Sequence, residues 1–499
     1  MERKLFILPL LMICMKNCHA ERKNVLFIIV DDLRPALHCY KDKIAFTPNI
    51  DKLAKNSIQF NQAYAQQALC APSRNSLLTS RRPDSLYLYD FYSYWRLSAG
   101  NFTTLPQHFK EHGYTTASFG KVFHPVCMDY GTGRFQSNLV CPVEPEFQPG
   151  ETLPDIETLK ATQNFLTNYN GRNNSFFAAV GFHKPHIPFK FPKDFLDYYP
   201  LEKVGKPIPE DIPPTLPSIA WNPWTDVRKR DDVVALNVTF PYGPMPAHFA
   251  QRIRQSYYAA VTYIDDLIGK LIKTMKNLNL LENTIIVLIG DHGWSLGEHA
   301  EWAKYSNFEV ALQVPFLIYD PELTSKERYF MQNVKNTSFI SEHLVELVDI
   351  FPTLCELTGL PVPPMCDPIP SSQNLCSEGE SLVPIIKASS TYKGKSGVFS
   401  QYPRPSIHIS HASDTPRLSQ IQFMGYSIKT KRYRYTEWVG FKDLTPKWEE
   451  VAGVEMYDHL IDPVESINLA GRTELEDVQT QLQRQLRAGW RNSRSQLNI

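Results

Sequence analysis

Three separated segments of this 499-residue chain hold the side chains best suited to chemistry. Asp31 and Asp32 stand side by side directly after the apolar run Asn24–Val30, and Asp291-His292-Gly293 follows a second such run at 284–289. Hard divalent cations need several carboxylate oxygens in one place, so the two tips together read as a metal site. An adjacent acidic pair by itself is as often solvated or capping a helix. The third segment is Cys70-Ala71-Pro72-Ser73-Arg74, followed by Leu77-Leu78-Thr79-Ser80-Arg81-Arg82-Pro83. A lone cysteine is more often a small buried apolar residue than a nucleophile. Counting cysteines bears on this one. Removing Cys14 and Cys18 with an N-terminal leader leaves Cys39, Cys70, Cys127, Cys141, Cys355, Cys366 and Cys376, an odd number. In an oxidising compartment Cys127 with Cys141 and Cys366 with Cys376 are close pairs able to staple loops. At least one of the others is then unpaired or chemically altered, and Cys70 is the one expected to be altered.

The elements that must position these groups are legible in outline. Asn24–Val30 and 284–289 are continuous, β-branched apolar runs, the pattern of strands buried on both faces of a mostly parallel sheet. Ligands bind beyond the carboxyl ends of such strands, so the two acidic tips are expected to meet at one edge although roughly 260 residues separate them. Tyr257, Val261, Ile264, Ile268, Leu271, Ile272 and Met275 keep a helical spacing, which predicts an amphipathic helix packed on that sheet. Residues 185–250 are proline-rich and aperiodic and read as a long ordered insertion near the site. The catalytic domain is expected to span 21–386, and the polar stretch 387–396 reads as an exposed linker. Beyond it, 397–499 alternates in short runs (Val398-Phe-Ser-Gln-Tyr, Met424-Gly-Tyr-Ser-Ile-Lys, Tyr433-Arg-Tyr-Thr-Glu-Trp-Val), which predicts a smaller antiparallel domain with a terminal helix.

Lys plus Arg equals Asp plus Glu at 52 each, so nothing points to nucleic acid, and any affinity for an anion must come from local clustering. Basic Arg3 and Lys4, the apolar run from Leu5 to Met15 and small Ala20 have the layout of a cleaved secretory signal over 1–20. The run is short for a bilayer span, so no stable membrane insertion is expected. Asn-x-Ser/Thr triplets at Asn101, Asn173, Asn237 and Asn336 agree with passage through the secretory pathway.

Cys70-x-Pro-Ser-Arg74 and the segment after it resemble the sulfatase signature, in which this cysteine is oxidised to Cα-formylglycine. Ser80 departs from the glycine usual there, outside the modification core. Further segments resemble glycosaminoglycan-degrading sulfatases in the same order: Tyr89-Asp-Phe-Tyr-Ser-Tyr-Trp-Arg, Gly120-Lys-Val-Phe-His-Pro, Gly181-Phe-His-Lys-Pro-His-Ile-Pro, Glu301-Trp-Ala-Lys-Tyr-Ser-Asn-Phe and Ser400-Gln-Tyr-Pro-Arg-Pro. The resemblance implies an α/β, alkaline phosphatase-like fold with a large mixed sheet flanked by helices and a smaller C-terminal α/β domain. It implies hydrolysis of the 2-sulfate of terminal L-iduronate in dermatan sulfate and heparan sulfate, in the lysosome or after secretion, with a formylglycine-generating enzyme as the maturation partner.

The same resemblance assigns the site. One hydroxyl of the hydrated aldehyde at residue 70 attacks sulfur, and the second, once deprotonated, expels sulfate. Asp31, Asp32, Asp291, His292 and the oxygen of modified Cys70 hold one metal ion. Calcium is expected, although imidazole is a softer ligand than calcium usually takes. Arg74 steadies this cluster, Lys121 and His124 contact the hydrated aldehyde with His124 as base, and His183 and Lys304 bind the sulfate, one of them protonating the leaving oxygen. Taken singly, the two lysines read as solvated charges and the two histidines as structural groups. His186 repeats the local pattern of His183. An unperturbed histidine titrates near pH 6.5, so an acidic compartment is expected to favour its proton-donating form. Sulfatases with other sulfated sugars or small sulfate esters share this chemistry. A related phosphatase would carry Ser or Thr at position 70, and a non-catalytic glycan-binding relative would lose one of Cys70, Arg74, Asp291 or Lys304.

Overall fold

The computed structural model describes residues 22–124, 137–169, 174–322, 339–368, 373–387 and 392–494. The leader at 1–20, Cys127 with its proposed partnership to Cys141, and the triplets at Asn173 and Asn336 lie outside the described residues. Asn101 and Asn237 are exposed, as glycan acceptors must be. Cys366 and Cys376 form a disulfide with a Cα–Cα distance of 4.8 Å, and Cys39 and Cys355 are free thiols.

Strand β1 (Asn24–Val30) is buried at every position, because its alternate side chains enter two different cores. Leu26, Ile28 and Val30 face one, and Val25, Phe27 and Ile29 face the other. β1 is an interior strand of a seven-stranded sheet with β2 (Ile58–Tyr64), β3 (Thr115–Gly120), β4 (Phe176–Phe182), β5 (Thr284–Gly290), β8 (Gln313–Tyr319) and β9 (Phe339–Glu346), in the order β3-β4-β1-β5-β8-β2-β9. The short hairpin β6 (Ser295–Leu296) and β7 (Trp302–Ala303) stands between β5 and β8 in the chain. Only β8 in the large sheet runs against its neighbours. Helix Ala247–Asn277 covers one face, with Tyr257, Val261, Ile264, Ile268, Leu271 and Met275 buried and Ile272 of the same stripe half-buried beside them. Leu77 and Leu78 of helix Cys70–Thr79 pack on the other face with Leu105, Phe109, Phe351 and Leu354.

Register decides the function of this sheet. Val30 pairs with Phe182 and with Gly290, and Gly120 pairs with Gly181, so β1, β3, β4 and β5 end level. β2 runs the same way as β1, since the antiparallel β8 separates it from β5. The chain therefore leaves six of the seven strands at one edge, and after five of them Asp31, Cys70, Lys121, His183 and Asp291 follow within a few residues.

The smaller sheet is antiparallel, β10 (Val398–Arg404), β11 (Phe423–Lys429), β12 (Tyr433–Lys442) and β13 (Thr445–Asp458), and helix Glu476–Ala488 packs Leu482 and Leu486 on it. The alternating runs predicted β10, β11 and β12. β13 escaped because it is an edge strand with a register shift near Val451 and few buried side chains until Glu455, so its sequence carries little apolar alternation.

The stretch 387–396 is not an exposed connection throughout. Tyr392 and Lys395 are buried, and Lys395 Nζ lies 2.7 Å from Glu346 Oε2 and 2.7 Å from Asp349 Oδ1. Arg82 closes the set with two 2.7 Å bonds to Glu346. Charge complementarity here outweighs the polar composition that suggested a free linker. Removing one partner of a buried ion pair strands the other, so Lys395→Met is expected to lower unfolding free energy by about 3–5 kcal/mol in chemical denaturation. A second buried cluster sets acid stability. Burial alone would raise the Glu465 carboxyl, but Arg434, 2.7 Å from it, and His459 hold it down at about 2. Its stabilising contribution is complete above its ordinary value of 4.5 and fades as pH falls toward about 2. Glu465→Gln is expected to lower the melting temperature at pH 5–7, with the gap to the parent closing as pH approaches 2.

Candidate active site

Asp31 and Asp32 leave the tip of β1 with Asp32 in the left-handed region at φ 60°. That turn is tied down by Tyr257, whose hydroxyl donates to the Asp32 carbonyl at 2.7 Å, and by the Asp32 amide, which donates to Asp291 Oδ1 at 3.0 Å. The two acidic tips thus meet, as the strand reading predicts. Cys70 opens a helix whose ten residues are all buried. Its polar side chains are spent inward: Ser73 Oγ donates to the Asp291 carbonyl, and Arg74 reaches Asp291 Oδ2 at 2.7 Å, Asp31 Oδ1 at 3.2 Å and the carbonyl of Val122 at 3.2 Å. A helix start is also where unpaired amides favour a bound anion. At the other end Ser80 adopts φ 53°, the conformation for which glycine is the usual residue, and its hydroxyl donates to the Val348 carbonyl at 2.5 Å. That bond offsets the conformational cost of the substitution.

Lys121 is drawn in by the β3–β4 pairing. A Cβ on Gly181 would stand 1.8 Å from the Lys121 carbonyl, so only glycine lets the two strand ends approach. Lys121 Nζ lies 2.5 Å from Asp31 Oδ2 and 3.5 Å from Cys70 Sγ. Lys304 Nζ lies 2.6 Å from Asp32 Oδ1 and 3.0 Å from Cys70 Sγ. His292 Nε2 is 3.3 Å from Cys70 Sγ and 3.5 Å from Asp32 Oδ1. Its Nδ1 donates to the Gly293 carbonyl at 2.9 Å, which leaves the Nε2 lone pair aimed at the cluster.

The electrostatics favour a cation among these carboxylates. Burial raises the Asp32 carboxyl and, against the pull of Lys304, Asp31 and Asp291 push it further, to about 7. Asp32 Oδ2 is buried without a hydrogen-bond partner. Ligand atoms of Asp31, Asp32, Cys70 and His292 lie within 4.8 Å of one another, and Asp291 Oδ2 is 3.6 Å from His292 Nε2. Two hard carboxylates with an orphaned oxygen, a third beside them and a neutral imidazole fit a divalent metal ion. Burial, reinforced by Asp31, pushes the Cys70 thiol up to about 12, so the unmodified side chain is a poor thiolate.

Asp155 accepts from the His183 backbone amide at 2.6 Å and stands 3.5 Å from its Nδ1. His186, which repeats the local pattern of His183, places Nε2 4.0 Å from Asp32 Oδ2. One expectation needs correction, the supply of protons. Burial holds the imidazole of His186 well below 6.5, and burial followed by Lys121 takes His124 to about 4. Burial takes His292 to about 4 as well. Burial thus works against the protonated form of these three rings. Burial would lower Lys304 too, but Asp32 beside it holds the ammonium well above its ordinary value, so Lys304, like Lys121 beside Asp31, stays protonated. His124 stacks on Phe91 at 4.8 Å, at the rim beside Lys121. The insertion 185–250 does reach the site: the indole nitrogens of Trp221 and Trp224 donate to His299 and Ala300 at 3.2 and 3.1 Å, backing the loop that carries Lys304.

Comparison with known proteins agrees with this geometry. The family model described as Sulfatase matches residues 23–360. The chain is 43% identical to the iduronate 2-sulfatase of Mus musculus over 91% of its own length and 92% of that protein. It is 44% identical to the iduronate 2-sulfatase of Homo sapiens over 93% and 94%. Among solved structures it is similar to a protein in complex with its substrate D-glucosamine-2-N,6-O-disulfate, with TM-score 0.66, 21% identity and coverage of 94% and 97%. It is similar also to a phosphonate monoester hydrolase of Agrobacterium radiobacter, with TM-score 0.68, 19% identity and coverage of 96% and 97%. These two likenesses concern the fold, the alkaline phosphatase-like α/β arrangement. A signature cysteine at the focus of the strand ends and a family match over most of the chain lead to one assignment: this chain belongs to the sulfatases, which hydrolyse sulfuric esters using a formylglycine and a metal ion.

Proposed function

We propose that the chain removes the 2-sulfate from terminal L-iduronate residues of dermatan sulfate and heparan sulfate, in the lysosome after passage through the secretory pathway. The observation that carries the chemistry is the convergence on Cys70 Sγ of Lys304 Nζ at 3.0 Å, His292 Nε2 at 3.3 Å and Lys121 Nζ at 3.5 Å. Identity above two-fifths to two iduronate 2-sulfatases along nearly the whole chain supports the substrate. Sγ stands here for the aldehyde carbon substituents that a formylglycine-generating enzyme would install. The formylglycine hydrate supplies a hydroxyl that attacks sulfur and a second that, on losing its proton, expels sulfate and restores the aldehyde. Asp31, Asp32, Asp291 and His292 would hold one calcium ion, which would supply positive charge near the sulfate oxygens and the attacking hydroxyl. Catalytic domain 21–386 and smaller domain 397–499 divide the work between site and support.

Each surrounding residue then has a task. Arg74 fixes Asp31 and Asp291 and steadies the hydrate. Lys121 and Lys304 neutralise the non-bridging oxygens of the ester as charge develops on them, the preorganised stabilisation that costs no reorganisation during reaction. Lys304, held protonated by Asp32, gives a proton to the departing 2-oxygen. His183 binds the sulfate together with Lys304, and His186, with Nε2 4.0 Å from Asp32 Oδ2, lines the same site. His124, neutral above about 4, accepts the proton of the second hydroxyl.

Peptide mass spectrometry across residue 70, with turnover of a 2-sulfated iduronide and of an aryl sulfate on the same sample, tests the reading. Formylglycine is expected at residue 70 with iduronide turnover, and Cys70→Ala is expected to lose at least about 10^4-fold in kcat, as for removal of a covalent nucleophile. Unmodified cysteine in active protein would overturn the mechanism, and turnover of the aryl ester alone the substrate. Chelation followed by dialysis is expected to abolish turnover and lower the melting temperature, with calcium restoring both. At free calcium 100 times Kd, linkage adds about 2.7 kcal/mol to stability.

A further inference from the structure

The backbone that carries Lys304 runs against conformational preference. His299, Ala300, Ala303 and Tyr305 have φ of 58°, 57°, 69° and 81°, and Gly297 has 101°. Residues with a Cβ avoid this region unless the surroundings impose it, and such runs gather where geometry serves function. Ala303 and Tyr305 flank the lysine directly, so any relaxation of the run would swing Nζ away from Asp32 and residue 70.

Two side chains from elsewhere in the fold do the imposing. Asn222, in the proline-rich insertion, donates through Nδ2 to the carbonyl of Lys304 itself and, at 3.1 Å, to that of Trp302. Arg404, the last residue of β10, sends Nη2 to the Tyr305 carbonyl at 2.8 Å and to the Ala220 carbonyl at 3.1 Å. Its Nε donates to the Ile219 carbonyl at 3.0 Å, and Nη1 to those of Ser413 and Pro403 at 3.2 Å each. The guanidinium is buried and lies over the rings of Tyr402 and Trp438. A buried cation bonded to neutral carbonyls is costly compared with an apolar side chain of similar size, so stability alone is a poor reason to have one there. A planar fork with five donors can, however, grip Tyr305 and the 219–220 backbone together, bracketing Lys304 and Asn222 from one point.

We propose that Arg404, with Asn222, is a positioning residue for sulfate-ester hydrolysis: it holds the strained 299–305 loop so that Lys304 Nζ stays 2.6 Å from Asp32 Oδ1 and 3.0 Å from Sγ of residue 70. The small C-terminal sheet is thereby part of the catalytic apparatus. The inference rests on the reading of Lys304 as a substrate-facing group.

The test is steady-state kinetics of Arg404→Lys on the 2-sulfated iduronide and on an aryl sulfate, with rates normalised to formylglycine content by mass spectrometry. A single ammonium cannot replace the fork, so kcat is expected to fall at least 10-fold while KM stays within threefold. Leu482→Ala, which opens a cavity between the terminal helix and the small sheet far from this loop, provides the stability control. It is expected to keep kcat at a melting temperature as low as that of Arg404→Lys. Asn222→Ala is measured alongside, and carries the test by the same kcat and KM criteria if Arg404→Lys does not fold. Equal loss of kcat in Leu482→Ala, or parental kcat in the folded variants, overturns the proposal. Lys304→Ala is the reference: parental kcat there would overturn the reading of Lys304 instead.

Discussion

Everything in this fold answers to one constraint, the burial of three carboxylates and three cations around a single side chain. Asp31, Asp32 and Asp291 face Arg74, Lys121 and Lys304, and all but the rim of Lys121 are shut off from water. Any one of these charges alone would be expensive to bury, and each is tolerable only while its partners stay within a few ångströms. The groups come from the ends of different strands, so their mutual distances are set by sheet register. That explains why the central strands β1, β4 and β5 are buried on both faces and why glycine is required at position 181, where the Lys121 backbone passes in contact. With Asp32 ionised, three negative charges stand against three positive ones on the protein side of the site. A divalent cation would then give it a net positive field, suited to an anionic ester.

The surrounding structure reads as successive supports for that cluster. Ser400 Oγ of β10 donates to the Ala65 carbonyl at 2.7 Å, and the Gln401 amide donates to the Gln66 carbonyl at 2.9 Å, in the segment that leads from β2 into Cys70. Asn307 Nδ2 donates to the Gly425 carbonyl at 2.9 Å on the next strand. The insertion packs its tryptophans beneath the lysine loop. Arg82 and Lys395 lock Glu346, at the end of β9, and Asp349 beyond it into one buried ionic knot that also secures the chain just before β10. Burial also sets the proton inventory. It depresses the imidazoles of His124, His186 and His292 so that they accept rather than donate, while the carboxylates keep the lysines charged. The acid–base assignments follow from environment more than from residue type.

Much of this was legible from residue order alone. The apolar runs ending in Asp31-Asp32 and Asp291-His292 announced two buried strands with a shared edge, because side-chain alternation and strand polarity are local properties. The helical stripe from Tyr257 to Met275 was equally plain, and so were β10, β11 and β12. The Cys70 motif identified the chemistry because enzymatic modification reads a short linear segment. Edge strand β13 left little trace, since its side chains are mostly solvated and carry no alternation to read. Lys395 looked like a linker residue because burial by ion pairing depends on Glu346 and Asp349, which are distant in sequence.

What the sequence by itself determined is therefore the set of reactive groups, the strands that present them and the family to which the chain belongs. Only the tertiary structure showed that His186 comes within 4.0 Å of Asp32, a contact between segments far apart in sequence. It alone decided the protonation of the imidazoles, which depends on burial, and the strained path through Lys304, which depends on Asn222 and Arg404 arriving from other parts of the fold. Composition and periodicity report what one segment prefers; a shifted pKa or an imposed φ reports what several segments do to one another, and that exists only after they have packed.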